Sequence, residues 1–145
     1  MAFKPHPNGG GLVEDTAYVE VTAYVGKYAV VKDKARVLDN AKVSGYAKVS
    51  GYAQVYGNAQ VSGNAQVSGN AEVSGGALVT GNAKVSGNAK VCGNAWVFNG
   101  AQDRNALVYG PAKVSWYWRG IFLINGLLLF LITGLLLFLL ACLLD

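Results

Sequence analysis

The chain contains one histidine, two cysteines and three prolines, and each shortage excludes something. His6 stands between Pro5 and Pro7, ahead of the repeats described below. No repeat therefore offers an imidazole to take a proton from a substrate hydroxyl, and a three-histidine metal site cannot be assembled within one chain. Cys92 and Cys142 lie in segments of unlike composition and do not read as a disulfide framework, so nothing asks for an oxidising compartment. The opening residues, MAFKPHPNGGG, hold no apolar run of seven or more. No secretory signal is expected, and the repeats are expected to stay in the cytoplasm. Charge is also scarce: there is none in residues 121–144. Residues 1–120 carry all twelve Lys and Arg against seven acids, a net +5. Lys42, Lys48, Lys84 and Lys90 are separated by Gln and Glu rather than clustered. That spread argues against a nucleic-acid partner and suits a domain held near an anionic leaflet, where each basic residue is worth about 1 kcal/mol.

What the chain has in abundance is a register. Alanine occupies every sixth position from Ala17 to Ala101, and valine every sixth from Val19 to Val97. Neither a helix nor a flat hairpin sheet calls for a period of six. A chain coiling around a small triangular core does, with one hexad per face and each coil stacked on the last. The hexads begin irregularly, as AYVEVT, AYVGKY, AVVKDK and ARVLDN, then settle at Ala41 into AKVSGY and later AQVSGN. After Ala101 the pattern slips by one: Asp103 takes the valine position, and Ala106 with Val108, then Ala112 with Val114, resume the period. Residues 102–105 are read as a shortened corner, giving seventeen hexads. At three hexads per coil that is five to six coils, about 25 to 30 Å tall at ~4.8 Å per coil. Residues 1–16, with Pro5, Pro7 and a Gly9 to Gly11 run, read as an N-terminal arm or cap in which Phe3, Leu12 and Val13 cover the open end.

The residue types fit such a coil. Valine favours an extended strand and points inward; alanine fits where the chain turns toward the axis. Gly followed by Asn suits a corner at positive φ. An eighteen-residue coil also predicts ladders. Asn40, Asn58 and Asn94 share one corner column, interrupted at Gly76; Asn64 with Asn82, and Asn70 with Asn88, form two more. Tyr28 falls beneath Tyr46.

The run VSGNAQVSGNAEVSG resembles the hexapeptide-repeat superfamily, with an aliphatic residue followed four positions later by a small one, as in Val61 with Ala65 and Val67 with Ala71. The resemblance covers residues 17 to about 115 and implies a left-handed parallel β-helix, an exception to the usual right-handed crossover. It implies much less about function. The acyltransferases of that superfamily use a histidine base and its carbonic anhydrases a three-histidine metal site, and neither set has a counterpart in these coils. The coil acids Glu20, Asp33, Asp39, Glu72 and Asp103 show no acid–base pairing, and Cys92 takes a slot that its neighbours fill with Ser74 and Ser86. No catalytic, metal or cofactor-binding residue is assigned, no small-molecule substrate is expected, and the chain reads as a non-enzyme.

The uncharged segment is the second signal. Residues 121–144 would run about 36 Å as a helix at 1.5 Å each, more than the roughly 30 Å hydrocarbon core. Trp116, Tyr117, Trp118 and Arg119 precede it as a membrane-interface cluster. One transmembrane α-helix is expected within residues 119–145, after a β-helix of residues 17–118. Arg104, Lys113 and Arg119 lie before the span and only Asp145 after it. The positive-inside rule then keeps the β-helix cytoplasmic and sends the C-terminus across, as a single-pass tail anchor. Within the tail, Gly126 with Thr133, and Gly134 with Ala141, are seven apart and would let helices approach closely. Asn125 would bond to another copy, completing a self-association face. On the coils, Leu78, Trp96, Phe98 and Leu107 occupy outward slots and mark a lateral contact.

The resulting expectation is an all-β solenoid on a membrane helix, associating with itself as a trimer or larger and serving as a scaffold or assembly module. An alternative is a membrane-active effector whose gathered tails form a pore, as holin-like or toxin-like proteins might. An acyltransferase-like enzyme is a remote third reading.

Overall fold

The structure, a computed structural model, describes residues 1–98, 101–104, 106–115, 121–124 and 127–130, with the backbone alone for 102–104 and for the last two segments. It is a parallel β-solenoid. Each hexad contributes one short strand, and successive strands fall on three faces in turn. The first face runs Leu12–Glu14, Val30–Val31, Lys48–Val49, Gln66–Val67, Lys84–Ser86 and Gln102–Arg104. The second runs Tyr18–Val19, Arg36–Val37, Gln54–Val55, Glu72–Val73, Lys90–Val91 and Leu107–Val108. The third runs Tyr24–Val25, Lys42–Val43, Gln60–Val61, Leu78–Val79, Trp96–Val97 and Lys113–Val114. Neighbours along a face are eighteen residues apart, as in Val61↔Val79 and Val67↔Val85. Six parallel strands per face make five coil-to-coil steps, about 24 Å at ~4.8 Å each.

The period-of-six expectation thus holds, and the core is what it predicted. The alanines from Ala23 to Ala95 and the valines from Val25 to Val97 have no exposed surface. Each fully buried valine contributes roughly 1.5–3 kcal/mol, and because like residues stack on like, every coil repeats the same packing. The residue between Ala and Val faces outward.

The corners refine the expectation. In SGNA corners the alanine N–H donates back to the serine carbonyl, as Ala65 to Ser62 at 3.3 Å. The central glycine alone carries positive φ, 66° at Gly63; the asparagine after it does not. That is the type II′ pattern. Glycine is needed twice over, since a Cβ on Gly63 would lie 2.9 Å from the Gly81 nitrogen in the next coil. Asparagine instead builds the ladders. Asn64 donates its amide to Asn82, and Asn70 to Asn88, both at 3.1 Å. Tyr28 stacks on Tyr46 with ring centroids 5.3 Å apart.

The slip near the C-terminal end also falls where the sequence put it. Val85 pairs with Asp103 at the usual eighteen, but Lys90 pairs with Leu107 and Trp96 with Lys113 at seventeen.

The ends depart from the expectation. Residues 1–16 are not all cap, because Leu12–Glu14 already forms the opening strand, with Leu12↔Val30 and Val13↔Val31 in register. Gly11 occupies the alanine position there, which hid this hexad from the alanine count. Phe3–Pro5 pairs antiparallel with this strand, Phe3↔Glu14 and Pro5↔Leu12, and closes the first face. The third face is closed by the loop between them, through Val25 N–H to Asn8 O at 3.0 Å and Gly11 N–H to Val25 O at 2.8 Å. Phe3 and Leu12 remain exposed, and His6 is the residue buried in the cap, 7% exposed.

At the other end, Ile121–Ile124 and Leu127–Phe130 pair antiparallel as a two-stranded sheet of their own, Ile121↔Phe130 to Ile124↔Leu127. These eight residues are strand where a helix was expected; residues 131–145, the rest of that expected helix, lie outside the described residues. Among the described residues no helix is long and apolar enough to cross a membrane.

Gly63→Ala should lower stability by about 1–3 kcal/mol, combining left-handed strain with the clash against Gly81. Ser62→Ala, one position earlier, should cost under about 1 kcal/mol for its hydroxyl contact with Thr80. Paired denaturant melts read the contrast.

Candidate functional site

The side chains singled out by sequence are dispersed by the fold. Leu78 and Trp96 are brought together as register neighbours on the third face. Trp96 is 46% exposed, and the Lys113 ammonium sits 5.0 Å from its ring centroid. Phe98, half-buried, follows Val97 into the next corner, where its backbone N–H meets Val114 O. Leu107 is on the second face, above Lys90 and 66% exposed. Tyr109, not anticipated as a contact, follows it and is 67% exposed. The four residues expected to form one lateral contact therefore straddle two faces and one corner. The interface residues Trp116, Tyr117, Trp118 and Arg119, and the tail residues Asn125, Gly126, Thr133, Gly134 and Ala141, lie outside the described residues.

The acids that sequence left without a role acquire one, and it is architectural. Where later coils place glycine at the corner, the second coil has Asp33 and Asp39, at φ of 61° and 57°. Each carboxylate accepts the corner N–H of the next coil, Gly51 to Asp33 at 3.0 Å and Gly57 to Asp39 at 2.8 Å. Their own N–H groups donate to carboxylates one coil earlier, Asp33 to Glu14 and Asp39 to Glu20, both at 2.6 Å. Glu14 is almost wholly buried, at 2% exposure. Two short ladders of side-chain acceptors thus satisfy corner N–H donors. Aspartate suits the slot because it tolerates left-handed backbone better than most residues. The signal was available in the sequence, since Asp33 and Asp39 stand twelve and six positions before Gly45.

Glu72 pairs with Lys90 at 3.2 Å on the second face. Cys92 is half-buried with its sulfur 3.8 Å from Val108 O. The His6 ring nitrogen Nδ1 lies 3.3 Å from the Asn8 N–H and 3.2 Å from Asn8 O. Among the described residues no three His, Cys, Asp or Glu side chains converge as a metal site. The cations are spread, several over tyrosine rings: Lys34 over Tyr52, Arg36 over Tyr18 and Lys27 over Tyr28.

An open depression of about 640 Å³ lies where the cap meets the third face, lined by Asn8, Thr22, Tyr24, Asn40, Lys42, Asn58 and Gln60. Sequence reading missed it because Asn8 enters only through the fold of the cap, with its amide donating to Thr22 O at 3.3 Å and Ala23 O at 3.0 Å.

The chain is a β-helix repeat protein. Over residues 53–67 and 65–81 it is similar to the family model described as the YdcK Beta solenoid repeat. No curated protein and no solved structure matches the chain.

The two tasks of Asp39 separate by substitution. Asp39→Asn keeps an acceptor and tolerates left-handed backbone, so it should be near neutral. Asp39→Gly keeps the φ alone, and Asp39→Ala loses both and should cost about 2 kcal/mol. Thermal melts should rank them Asn, Gly, Ala in falling stability.

Proposed function

We propose that the protein is a non-enzymatic, membrane-tethered β-helix that associates with itself and serves as a scaffold or assembly module. The observation that carries this reading is the uncharged segment of residues 121–144, placed directly after a rigid prism. The structure describes two strands within it. These strands, IFLI and LLLF, are wholly apolar and pair with none of the three faces. An isolated two-stranded hairpin is marginal at best in water, and in lipid its open edges would leave backbone groups unsatisfied. Strands of four residues reach about 13 Å, whereas a spanning strand needs roughly nine to eleven residues. A helix solves both problems, since 24 residues reach about 36 Å with every backbone bond internal. Our proposal is that in a bilayer the segment exchanges this strand pairing for a single-pass helix, with Trp116, Tyr117, Trp118 and Arg119 at the headgroups. The charge bias across it places the prism on the cytoplasmic side.

Self-association is supported by exposed apolar groups on two different faces at the prism's C-terminal end. Trp96 is on the third face, and Leu107 with Tyr109 is on the second and the corner after it. Contact between the second face of one copy and the third face of the next is heterologous, and it gives a ring where the rotation between copies closes and a filament where it does not. A three-membered ring would bring three tails together, where Asn125, Gly126, Thr133, Gly134 and Ala141 form the small and polar helix face. Left-handed coiling, implied by the hexad pattern, belongs to the same proposal.

Full-length protein should partition with membranes and resist extraction by salt. Leu128→Arg with Leu136→Arg should shift it out, at about 2.5–3.5 kcal/mol per buried arginine. Recovery of the unsubstituted chain wholly in the soluble fraction without detergent would overturn the anchor. In mild detergent the chain should sediment as an oligomer, and Trp96→Glu with Leu107→Glu should shift it toward monomer; a strictly monomeric parent overturns self-association. Dye-loaded liposomes separate the scaffold from a pore-forming effector, because a scaffold inserts without releasing dye.

A further inference from the structure

The depression at the cap is a built feature, and we propose that it binds an extended polyhydroxylated chain, a linear glycan, that carries a carboxylate. The argument starts from a contrast between corner columns. Asn64 with Asn82, and Asn70 with Asn88, stand one coil apart and bond to each other. Asn40 and Asn58 stand at the same spacing in an equivalent corner, yet no bond joins them, and both side chains line the depression. Among the described residues Lys42 has no carboxylate partner, and neither Asn40, Asn58 nor Gln60 has a side-chain hydrogen bond. The ladder that accounts for Asn64, Asn82, Asn70 and Asn88 does not account for these.

The cap fixes the rest of the wall. Gly9, at φ 112°, lets the chain pass so close to the third face that a Cβ there would fall 2.8 Å from the Tyr24 ring and 2.4 Å from Val25 O. Asn8 is thereby held at the rim, with its amide committed to Thr22 O and Ala23 O. Thr22 donates its hydroxyl to Asp39 O at 2.6 Å, which leaves its oxygen free to accept. The site presents three uncommitted amides, each able to donate and accept, beside one ammonium and one partly exposed tyrosine ring.

That inventory selects a ligand class. No carboxylate lines the depression, so a divalent cation lacks its oxygen ligands. A single lysine is too little positive charge for a nucleic-acid backbone, whose binding rests on several phosphate contacts. An apolar ligand would strip water from six polar side chains without replacing their hydrogen bonds. Hydroxyl groups, which donate and accept at once, match primary amides on both counts. Tyr24 offers an apolar ring body with a polar tip for the face of a sugar, and Lys42 offers a charge-assisted bond to a carboxylate. Stacked coils place Asn40 over Asn58 and Lys42 over Gln60, so the recognition elements repeat along the prism axis and suit a linear chain.

The test uses the full chain in lipid nanodiscs and two soluble probes, tetragalacturonate and the neutral cellotetraose. Side-chain amide resonances of Asn40, Asn58 and Gln60 should shift on adding tetragalacturonate, while those of Asn64 and Asn70 stay in place. Asn40→Ala with Asn58→Ala should weaken binding at least about tenfold, and Lys42→Gln should weaken tetragalacturonate by about tenfold while leaving cellotetraose unchanged. Asn64→Ala with Asn82→Ala, in the next corner, should change neither. The proposal is overturned if neither probe moves the three amides at millimolar concentration, or if the Asn64 and Asn82 double variant weakens binding as much as the Asn40 and Asn58 one. It does not depend on the tail, so its failure leaves the membrane reading untouched.

Discussion

Everything in this solenoid depends on one requirement: the backbone groups that point along the axis must meet their partners in the next coil. Tyr46 N–H reaches Gly63 O at 2.8 Å, and Asn64 N–H reaches Gly81 O at 2.7 Å. Such bonds recur unchanged when each coil has the length of its neighbour, and past the slip they persist, as Trp96 N–H to Ala112 O at 2.8 Å. Eighteen residues satisfy that, and the hexad is the third of it. The core follows, since equal coils put alanine over alanine and valine over valine. So do the glycine corners, because at Gly63 and Gly69 a Cβ would lie 2.9 Å from the next coil's backbone, whereas the irregular second coil carries Asp33 and Asp39 in the same slot. Stability in such an array is nearest-neighbour in character, the sum of many like interfaces.

The same requirement makes the ends the places where sequence must change. Phe3–Pro5 and the loop through Asn8 and Gly11 take up axial groups that a missing coil would otherwise have met. The acid ladders through Glu14, Asp33, Glu20 and Asp39 belong to this region as well. They supply side-chain acceptors where the coil pattern is still irregular, and they stop once glycine takes over at Gly45. At the far end the coil shortens to seventeen between Arg104 and Leu107 and the outward residues become apolar.

This explains which parts were legible in sequence. The middle coils were readable in detail, down to the Asn64–Asn82 bond, because a strict period makes every contact a translation of the last. The opening hexad was missed because Gly11 replaces its alanine and the cap hides its strand. Corner φ was assigned to a Gly–Asn pair where Gly63 alone carries it, since a residue preference does not say which of two turn positions is left-handed. The depression was invisible for a further reason: Asn8 and Asn58 come together only through the antiparallel return of the cap, a contact that no period encodes. The lateral set of Leu78, Trp96, Phe98 and Leu107 was grouped by slot, whereas the prism sorts residues by face.

Regularity also constrains where function can reside. A repeated coil offers the same flat face at every level, and a flat face converges on nothing. Convergence needs a break in the translation, and the described structure has one at the cap, where Asn8 leans over the third face, and another where the coil shortens. The first makes a concavity lined by the uncommitted amides of Asn40, Asn58 and Gln60, and the second lies between exposed Trp96 and exposed Leu107 and Tyr109 in the chain. On the third face the coils hold Gln60, at the polar groove, and Trp96, at the apolar end, two coil steps or about 10 Å apart. On the proposed reading, in which the chain binds at one end and is anchored and self-associated at the other, the stacked corners hold that separation fixed.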